Sequence, residues 1–317
     1  MASVNNRPIL SICIPTYNRA CILGNVIAHY VSCEEFDDNV ELVISDNAST
    51  DETETICQDY CRKYTNIRYY RNEENMHDEN FVRVLDLGCG EYLKLFNDWV
   101  YCTNDSLAYM KAKIKENVSE RPALFFTSNH LYTSYKAEEI RGRGLDDYVK
   151  IVSTFVTYNN LFGAWRDQWH QLSNKNRYAS LQLQQQDWSY QLVAARGDCV
   201  IYDKQVFWTS DVPLGRRGGY NWFKIHLDNY NKIMLPYVQS GQISNDVYRQ
   251  DKKNLLWYFK YELGLALFYN YSEYWRFNTK GTFGLLWKYY KTEPFFYTFL
   301  LYVFPYYFYR RLRNCIR

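Results

Sequence analysis

Short apolar runs alternate with stretches of helical periodicity through the first 128 residues, and few folds accommodate that pattern. Residues 9–14 form an apolar run that ends at Pro15, and Ile22, Val26 and Tyr30 then recur at helical spacing. Further apolar runs predict strands at residues 42–44, 66–70, 92–96 and 123–127. Strands that alternate with helices in this way predict a mainly parallel sheet covered by helices on both faces.

Two of the predicted helices are preceded by capping residues. Asn18 comes before the first helical stretch, where its side chain can accept a backbone N–H. Ser49 and Glu52 have the spacing of a capping box ahead of the second helix. We therefore expect helices to begin just after Asn18 and Ser49.

The loops that follow three of the predicted strands are rich in polar residues. They span residues 15–18, 45–51 and 96–100. Parallel sheets bind ligands in the crevice beyond the carboxyl ends of their strands, so we expect these loops to meet there. Turns alone also favour Asn and Asp, which leaves each loop ambiguous when it is taken by itself. Together, the three loops predict a polar ligand site.

The composition is that of a globular protein. With 317 residues, 47% of them hydrophobic, and a net charge of +2, the chain is neither disordered nor a basic protein that coats nucleic acid. We therefore expect no nucleic-acid partner. Nine cysteines occur without a CxxC pair, which favours reduced thiols in the cytoplasm over a zinc site. Aromatic residues make up 19% of the chain, an excess that needs a physical reason.

The carboxyl-terminal segment accounts for much of this aromatic excess. Residues 295–309 contain no charge and ten aromatic side chains, and Arg310, Arg311 and Arg313 follow. The segment is too short to span a bilayer, which takes about 20 residues, and Pro305 is expected to interrupt a helix here. Aromatic rings beside basic residues suit the headgroup region, so we expect attachment to a membrane surface. A packed helix or an oligomer contact is the alternative.

Three segments carry a recognisable combination of motifs: residues 10–18 (LSICIPTYN), 43–51 (VISDNASTD) and 90–98 (GEYLKLFND). In order, spacing and strand context they resemble the nucleotide-sugar half of family-2 glycosyltransferases with the GT-A fold. The resemblance covers about residues 8–110, and residues 218–220 and 229–230 add a likeness to bacterial polysaccharide members of the family. It implies an α/β fold with a mainly parallel, Rossmann-like sheet flanked by helices, followed here by a helical aromatic extension.

The resemblance also implies a domain organisation. Residues 1–235 are expected to form the GT-A catalytic domain, in which residues 1–128 bind the nucleotide sugar and residues 129–235 the acceptor. Residues 236–317 are expected to form a helical region associated with the membrane surface. The boundary falls near Pro236, where the sequence is already helical.

The donor-binding side chains follow from the same resemblance. A nucleoside diphosphate sugar presents a base edge, a ribose diol and two phosphates, which require amide and carboxylate acceptors, an aromatic face and a divalent cation. Tyr17 is expected to lie against the base or ribose, and Asp46 to accept an N–H from a pyrimidine. His77 stands where related enzymes usually have Gly. The implied donor-binding residues are Pro15, Thr16, Tyr17, Asn18, Asp46, Asn47, Asn80 and Asn97.

Asp98 is the expected metal ligand. Mn²⁺ and Mg²⁺ take oxygen ligands and are often held by one or two protein carboxylates, while phosphates and water complete the shell. Family members usually carry two or three Asp in this motif, whereas here the motif reads Asn97, Asp98, Trp99. The resemblance therefore implies a Mn or Mg cofactor on Asp98 with Asn97 as a neutral neighbour, and the departure from the usual acidic pair bears on metal affinity.

Sugar transfer also needs a base that takes the proton of the acceptor hydroxyl. Asp187 and Asp167 are the candidates, and we favour Asp187 because it precedes an apparent helix at a separation that resembles the family's metal-to-base spacing. A plain helix N-cap is the alternative role for Asp187. Trp188 is expected to stack on a sugar ring, and Arg216 with Arg217 to form either a lid over the diphosphate or a solvated turn.

The sequence thus predicts a metal-dependent, inverting glycosyltransferase that moves a sugar from a nucleoside diphosphate sugar to a lipid-linked glycan in bacterial surface polysaccharide assembly. We expect it in the cytoplasm, on the inner face of the cell membrane. A nucleotidyltransferase would carry a Gly-rich basic loop after the first strand and a dehydrogenase a GxGxxG motif, and neither follows Pro15. The alternative is a weak or inactive nucleotide-binding relative that acts as an interaction protein, as Asn97 and Trp99 suggest.

Overall fold

The computed structural model describes residues 7–128, 137–210, 220–268 and 278–315. The chain forms two compact units, Met1–Val212 and Pro213–Arg317, which are taken one at a time below. The predicted catalytic domain ends at residue 235, inside a helix of the second unit, and this functional division stays a prediction.

Strands and helices alternate in the first unit. Its strands are β1 (Leu10–Thr16), β2 (Val40–Asp46), β3 (Ile67–Arg71), β4 (Tyr92–Leu95), β5 (Val100–Tyr101), β6 (Ala123–Phe126), β7 (Glu139–Arg143), β8 (Gly163–Trp165), β9 (Asp198–Tyr202) and β10 (Trp208–Thr209). Its helices are α1 (Ala20–Val31), α2 (Thr53–Cys61), α3 (Asn80–Leu87), α4 (Asn104–Asn117), α5 (Gly144–Val152), α6 (Arg166–Gln171) and α7 (Gln184–Arg196).

The main sheet has the strand order β3-β2-β1-β4-β8. Strands β1 to β4 are parallel and β8 is antiparallel to β4, which confirms the predicted mainly parallel sheet. The chain moves outward from β1 through β2 to β3 and then returns to the other side of β1 at β4. Ligands of open α/β sheets bind where the strand order reverses, here at the carboxyl ends of β1 and β4.

The strand predicted at residues 123–127 forms as β6, but it does not join the main sheet as the sequence pattern indicated. β6 pairs in parallel with β9, and β7 pairs antiparallel to β9, in a separate three-stranded sheet. β5 and β10 form a two-stranded antiparallel ribbon. The pairing of β6 depends on a strand that lies some seventy residues further along the chain, so local alternation could not reveal it.

The core of the first unit lies around β1 and β2. Every residue of β2 is buried, as in central strands of sheets that are covered on both faces. At β8 the packing leaves no room for a side chain, since a Cβ on Gly163 would lie 2.3 Å from the Tyr92 hydroxyl oxygen. That hydroxyl donates to the Leu124 carbonyl at 2.5 Å, and the Tyr92 ring packs edge-on against Trp165.

Two predictions about helix capping are wrong. α1 begins at Ala20, and the Asp51 carboxylate rather than Asn18 accepts its first backbone N–H at 3.1 Å. α2 begins at Thr53 without the predicted capping box, because the Ser49 hydroxyl donates to Asp46 instead. Asp51 also accepts from the Thr53 backbone N–H at 3.1 Å, so one carboxylate serves both helix starts. Acidic side chains at helix N-termini stabilise the helix through its free N–H groups and dipole.

The second unit is helical. A π-helical turn at Lys224–Asn229 leads into α8 (Tyr230–Gln239), followed by α9 (Asn245–Tyr258), α10 (Lys260–Phe268), α11 (Thr282–Tyr290) and α12 (Pro294–Cys315). Contrary to expectation, Pro305 does not interrupt α12 but lies inside it on an exposed face. Within the described parts of the chain, no helix combines the length and apolar character needed to cross a bilayer.

Candidate donor-binding site

A cavity of about 600 Å³ opens at the carboxyl end of β1, a size within the range of small-molecule sites. One wall is the end of β1, at Pro15, Thr16 and Tyr17. The segment 75–81 forms a second wall, together with the side chain of Asn47. The third wall comes from the turn before α7 and consists of Ala179, Ser180 and Gln182.

The structure brings the three predicted polar loops together. The Thr16 hydroxyl, at the end of β1, donates to Asp98 Oδ2 after β4 at 2.8 Å. The Asn18 backbone N–H donates to the Ser49 hydroxyl at 2.8 Å, and the Thr50 N–H donates back to Asn18 Oδ1 at 2.7 Å. The loops after β1, β2 and β4 therefore form one hydrogen-bonded platform at the point where the strand order reverses.

Asp98 is the most unusual carboxylate in this platform. It is buried, and its Oδ1 has no hydrogen-bond partner among the described residues. Burial raises the pKa of Asp98 to about 6, although the Thr16 hydroxyl and the Arg19 guanidinium, with Nε 3.9 Å away, oppose this rise. A buried carboxylate oxygen that lacks a partner costs free energy, so the geometry favours an additional cationic ligand.

The donor set around Asp98 fits a divalent cation that is shared with a substrate. Where the structure describes the chain, no group of three or more His, Cys, Asp or Glu side chains could enclose a metal ion. Mg²⁺ and similar hard cations are often held by one or two carboxylates, with substrate phosphates and water as further ligands. The orphaned Asp98 Oδ1 can provide one such oxygen, and the Thr16 bond fixes the orientation of the carboxylate.

Asn97 is placed by a buried lysine that the sequence reasoning missed. The Asn97 backbone N–H donates to Asn160 Oδ1 at 2.8 Å. Lys94, on β4, donates from Nζ to the carbonyl oxygens of Asn160 and Phe162 at 2.6 and 3.2 Å. Burial lowers the pKa of Lys94 to about 7. Lys94 is a single lysine in an apolar run, and the sequence alone does not show that it contacts the distant turn at 159–161.

Asn47 supports the cavity wall through its side chain. Asn47 Nδ2 donates to Asn75 Oδ1 and to the His77 carbonyl at 2.8 and 3.1 Å, while Asn47 Oδ1 accepts from the Met76 N–H at 2.8 Å and from Asn72 Nδ2 at 3.2 Å. His77 adopts a left-handed φ of 51° here, a conformation for which Gly is the favoured residue. The side chain of Asn47 therefore shapes the 75–77 loop.

Asp46 and Asn80 are buried and extensively bonded. Asp46 accepts from the backbone N–H and hydroxyl of Ser49, from the Tyr69 hydroxyl at 2.6 Å and from the Arg71 guanidinium at 3.3 Å. Asn80 lines the cavity and exchanges hydrogen bonds with the hydroxyl and carbonyl of Ser45. Tyr17, in contrast, is 44% exposed on the cavity rim, where its ring is accessible to a ligand.

Asp187 lies in the first turn of α7 but does not line the cavity. It is 1% exposed, and its carboxylate accepts from the Arg177 guanidinium at both oxygens and from Gln191 Nε2 at 2.8 Å. Leu183 takes the N-cap position of α7, so the alternative role of Asp187 as a plain N-cap is wrong. Asp167 is half-exposed and pairs with Arg121 at 2.8 Å.

The expected sugar-stacking role of Trp188 is wrong. Its ring is fully buried against Trp169 and Phe162, and its indole N–H donates to the Lys175 carbonyl at 2.8 Å. The expected lid residues Arg216 and Arg217 lie outside the described residues.

A family model described as glycosyl transferase family 2 matches residues 11–209. The match falls within the first compact unit and begins and ends close to its limits. The predicted donor-binding residues, Asp98 and Asp187 all lie inside the matched range.

Two curated relatives are similar over part of the chain. Abequosyltransferase RfbV of Salmonella typhimurium is 33% identical over 135 residues, which cover 42% of this chain and 39% of the relative. GalNAc(5)-diNAcBac-PP-undecaprenol beta-1,3-glucosyltransferase of Campylobacter jejuni is 27% identical over 111 residues, which cover 34% of this chain and 35% of the relative. The alignments thus span well under half of either relative's length.

Solved structures share the fold. S. aureus TarS in complex with UDP-GlcNAc superposes with a TM-score of 0.58 at 15% identity, over 83% of this chain and 77% of that chain. Mannosyltransferase PcManGT from Pyrobaculum calidifontis, in complex with GDP-Man and Mn²⁺, gives a TM-score of 0.51 at 13% identity, over 74% and 65% of the two chains. At such identities the likeness concerns the fold, and it confirms the predicted GT-A architecture.

Proposed function

The chain belongs to glycosyl transferase family 2, and from this premise we propose that it transfers a sugar from a nucleoside diphosphate sugar to a glycan acceptor in bacterial surface polysaccharide assembly. The observation that carries the proposal is the cavity at the carboxyl end of β1 with Asp98 next to it. Asp98 does not itself line the cavity, but it accepts from the hydroxyl of the lining residue Thr16, and its buried Oδ1 has no hydrogen-bond partner among the described residues. The sugar transferases of Salmonella and Campylobacter named above support the same class of reaction.

We propose that the nucleoside occupies the cavity between Tyr17 and the 75–81 segment. The exposed Tyr17 ring can cover the base or ribose, and the polar walls can hydrogen-bond the ribose hydroxyls. A pyrimidine is the proposed base, on the resemblance of Asp46 to the base-reading Asp of the family. Because Asp46 already accepts from Tyr69 and Arg71, this contact requires one of those donors to give way.

Asp98 is the proposed ligand of a Mn²⁺ or Mg²⁺ ion. When bound, the ion supplies Lewis acidity that stabilises the diphosphate leaving group. The chain's own contribution is to hold the Asp98 carboxylate ready: Thr16 fixes Oδ2 and leaves Oδ1 for the ion. Arg19, close to the same carboxylate, adds positive charge beside the diphosphate.

Asp187 is the proposed base of a single, inverting displacement. Its carboxylate would accept the proton of the acceptor hydroxyl as the oxygen attacks the anomeric carbon. Arg177 and Gln191 both donate to the carboxylate in this structure, and we expect the Gln191 contact to open for the acceptor hydroxyl while Arg177 stays paired. Asp167, exposed and paired with Arg121, is the less favoured candidate.

The exposed face of α12 supports the proposed membrane attachment. Phe296, Phe299, Val303 and Tyr307 form a buried stripe. A helix that is apolar on all sides is normally buried all round, yet α12 also exposes large apolar side chains on its other faces. These are Tyr297, Leu301, Tyr302, Phe304, Tyr306, Phe308 and Tyr309.

Such a face can lie in the headgroup region of a bilayer, with the basic residues that follow it near anionic lipid phosphates. We therefore propose that the protein lies on the inner face of the cell membrane, where a lipid-linked acceptor is available. The name of the Campylobacter relative, which contains an undecaprenol diphosphate, is consistent with an acceptor of this kind.

Purified protein should be incubated with Mn²⁺ and a panel of nucleoside diphosphate sugars, and free nucleoside diphosphate measured with and without lipid-linked acceptor. We expect one donor to be consumed in an acceptor-dependent manner, and Asp98→Ala to lose turnover while it stays folded. Turnover that Asp98→Ala leaves unchanged would reject the metal assignment. Donor binding without turnover would favour the alternative function as a nucleotide-binding interaction protein.

A further inference from the structure

We propose that Arg177 is a positioning residue that links the placement of the Asp187 carboxylate to the wall of the donor cavity. This inference rests on the proposed function, because it takes Asp187 as the base. Arg177 itself is not among the residues that line the cavity, so its effect on transfer would be indirect.

Arg177 contacts the proposed base through two nitrogens on one edge of its guanidinium. Its Nε donates to Asp187 Oδ2 at 2.8 Å, and a terminal guanidinium nitrogen donates to Oδ1. The planar guanidinium fork matches an ionised carboxylate and fixes its orientation, which a lysine ammonium cannot do. Asp187 is buried while the Arg177 side chain is 35% exposed, so Arg177 connects the buried base with the protein surface.

Arg177 belongs to the same short segment that forms the third wall of the cavity. Ala179, Ser180 and Gln182 follow it within five residues. Consecutive turns stiffen this stretch: the Arg177 N–H donates to the Asn174 carbonyl at 2.9 Å, and the turns continue without interruption through residue 182. A displacement of the wall is therefore transmitted to the guanidinium.

The wall segment has other anchors that do not involve Asp187. Lys175 Nζ donates to Asp86 Oδ1 at 2.9 Å and lies over the Trp169 ring at 4.4 Å. Gln184 Nε2 donates to the Asp78 carbonyl at 2.5 Å, which ties the third wall to the second. Lys175 thus offers a matched comparison, since its loss loosens the wall without removing the Arg177 guanidinium that contacts Asp187.

Donor binding and the placement of Asp187 therefore depend on the same segment, residues 177–182. A donor that fills the cavity presses on the wall at 179–182 and restrains the turns that carry Arg177. The carboxylate is then held in one orientation when the acceptor arrives. Orientation of a catalytic group within a fraction of an ångström has large effects on rate, so an indirect role of this kind is measurable.

The test compares Arg177→Gln, Arg177→Lys and Lys175→Gln in the full chain. Donor affinity is measured by calorimetry with the active nucleoside diphosphate sugar and Mn²⁺, and kcat by release of nucleoside diphosphate. We expect Arg177→Gln to lower kcat by about 10- to 100-fold, which is less than the roughly 100- to 10,000-fold that a general base itself contributes, because the base remains in place. Donor binding should weaken only about threefold. Lys175→Gln should weaken donor binding similarly and lower kcat less than Arg177→Gln does, because the guanidinium that orients Asp187 is still present. Arg177→Lys should recover part of the lost kcat.

A double-mutant cycle separates positioning from a purely structural role. In an Asp187→Asn background, Arg177→Gln should cause no further loss of kcat but the same small loss of donor affinity. An equal loss of kcat in both backgrounds, or wild-type kcat in Arg177→Gln, overturns the inference. If Arg177→Gln does not fold, Arg177→Lys completes the same cycle. Normal transfer by Asp187→Asn instead rejects the base assignment, and with it the role of Arg177, whereas a wild-type protein that transfers nothing rejects the proposed function itself.

Discussion

Replacing Asp98 with asparagine should stabilise the metal-free protein at neutral pH, the opposite of what a change in a buried polar network usually does. The substitution removes the charge and keeps the size of the side chain. In the wild type the Thr16 hydroxyl donates to Asp98 Oδ2 at 2.8 Å, and an amide oxygen at the same place can still accept this bond. The wild-type carboxylate, in contrast, has a buried Oδ1 without a hydrogen-bond partner among the described residues. A binding site that is strained in the absence of its ligand has this property.

The magnitude follows from the pKa of Asp98. A rise from 3.8 to about 6, caused by burial, corresponds to about 3 kcal/mol of stability lost when the group is ionised. Below about pH 3 the carboxyl is protonated in both the folded and the unfolded state, because this lies below the unfolded pKa of 3.8 as well as the folded one, so the loss is nearly absent. It develops as the pH rises, reaches about 1.5 kcal/mol at pH 5, and is complete somewhat above pH 6.

The free energy of unfolding of the wild type and of Asp98→Asn can be measured by urea denaturation, with tryptophan fluorescence as the signal. The measurements are made in EDTA at several pH values. We expect the advantage of Asp98→Asn to grow from about 1.5 kcal/mol at pH 5 to about 3 kcal/mol at pH 7.5. Added Mn²⁺ should stabilise the wild type and leave Asp98→Asn unaffected. A wild type as stable as the variant at pH 7.5, or a difference that does not vary with pH, would refute the reasoning.

Three further changes test other parts of the account. Asn47→Ala removes the bonds that hold the 75–77 loop, so calorimetry should show donor affinity about tenfold weaker, or about 1.4 kcal/mol; unchanged affinity would mean that the loop is held by other contacts. Gly163→Ala places a Cβ 2.3 Å from the Tyr92 hydroxyl and should cost about 1–3 kcal/mol in urea denaturation, and an unaltered midpoint would contradict the packing described here. Leu301→Glu combined with Phe308→Glu puts charges on the exposed face of α12 and should reduce co-sedimentation with anionic vesicles severalfold, whereas equal binding would argue against attachment through this face.

The central sheet could be predicted from the sequence because the information is local. Each of β1 to β4 is a short apolar run followed by a helical stretch, and right-handed connections between such units allow few arrangements. The place of the polar loops followed from the same rule, and the Thr16–Asp98 bond shows them meeting. The position of β6 could not be predicted in this way, because its partner β9 lies far along the chain.

The details of the site depended on contacts between distant segments. Asn18 and Ser49 have the composition of caps, but Asp51 was better placed to accept the free N–H groups at both helix starts. The Arg177–Asp187 pair forms across a turn whose shape no periodic pattern encodes. Trp188 had the chemistry of a sugar platform, yet its burial beside Trp169 depends on how α6 and α7 pack.

The most direct measurement is diffraction at the manganese absorption edge from crystals soaked with Mn²⁺ and the donor nucleotide. The account predicts an anomalous peak within coordination distance of Asp98 Oδ1, bridged to a diphosphate, with the nucleoside between Tyr17 and the 75–81 segment. Manganese bound elsewhere, or a nucleotide outside this cavity while Asp98 keeps its buried oxygen without a partner, would contradict it.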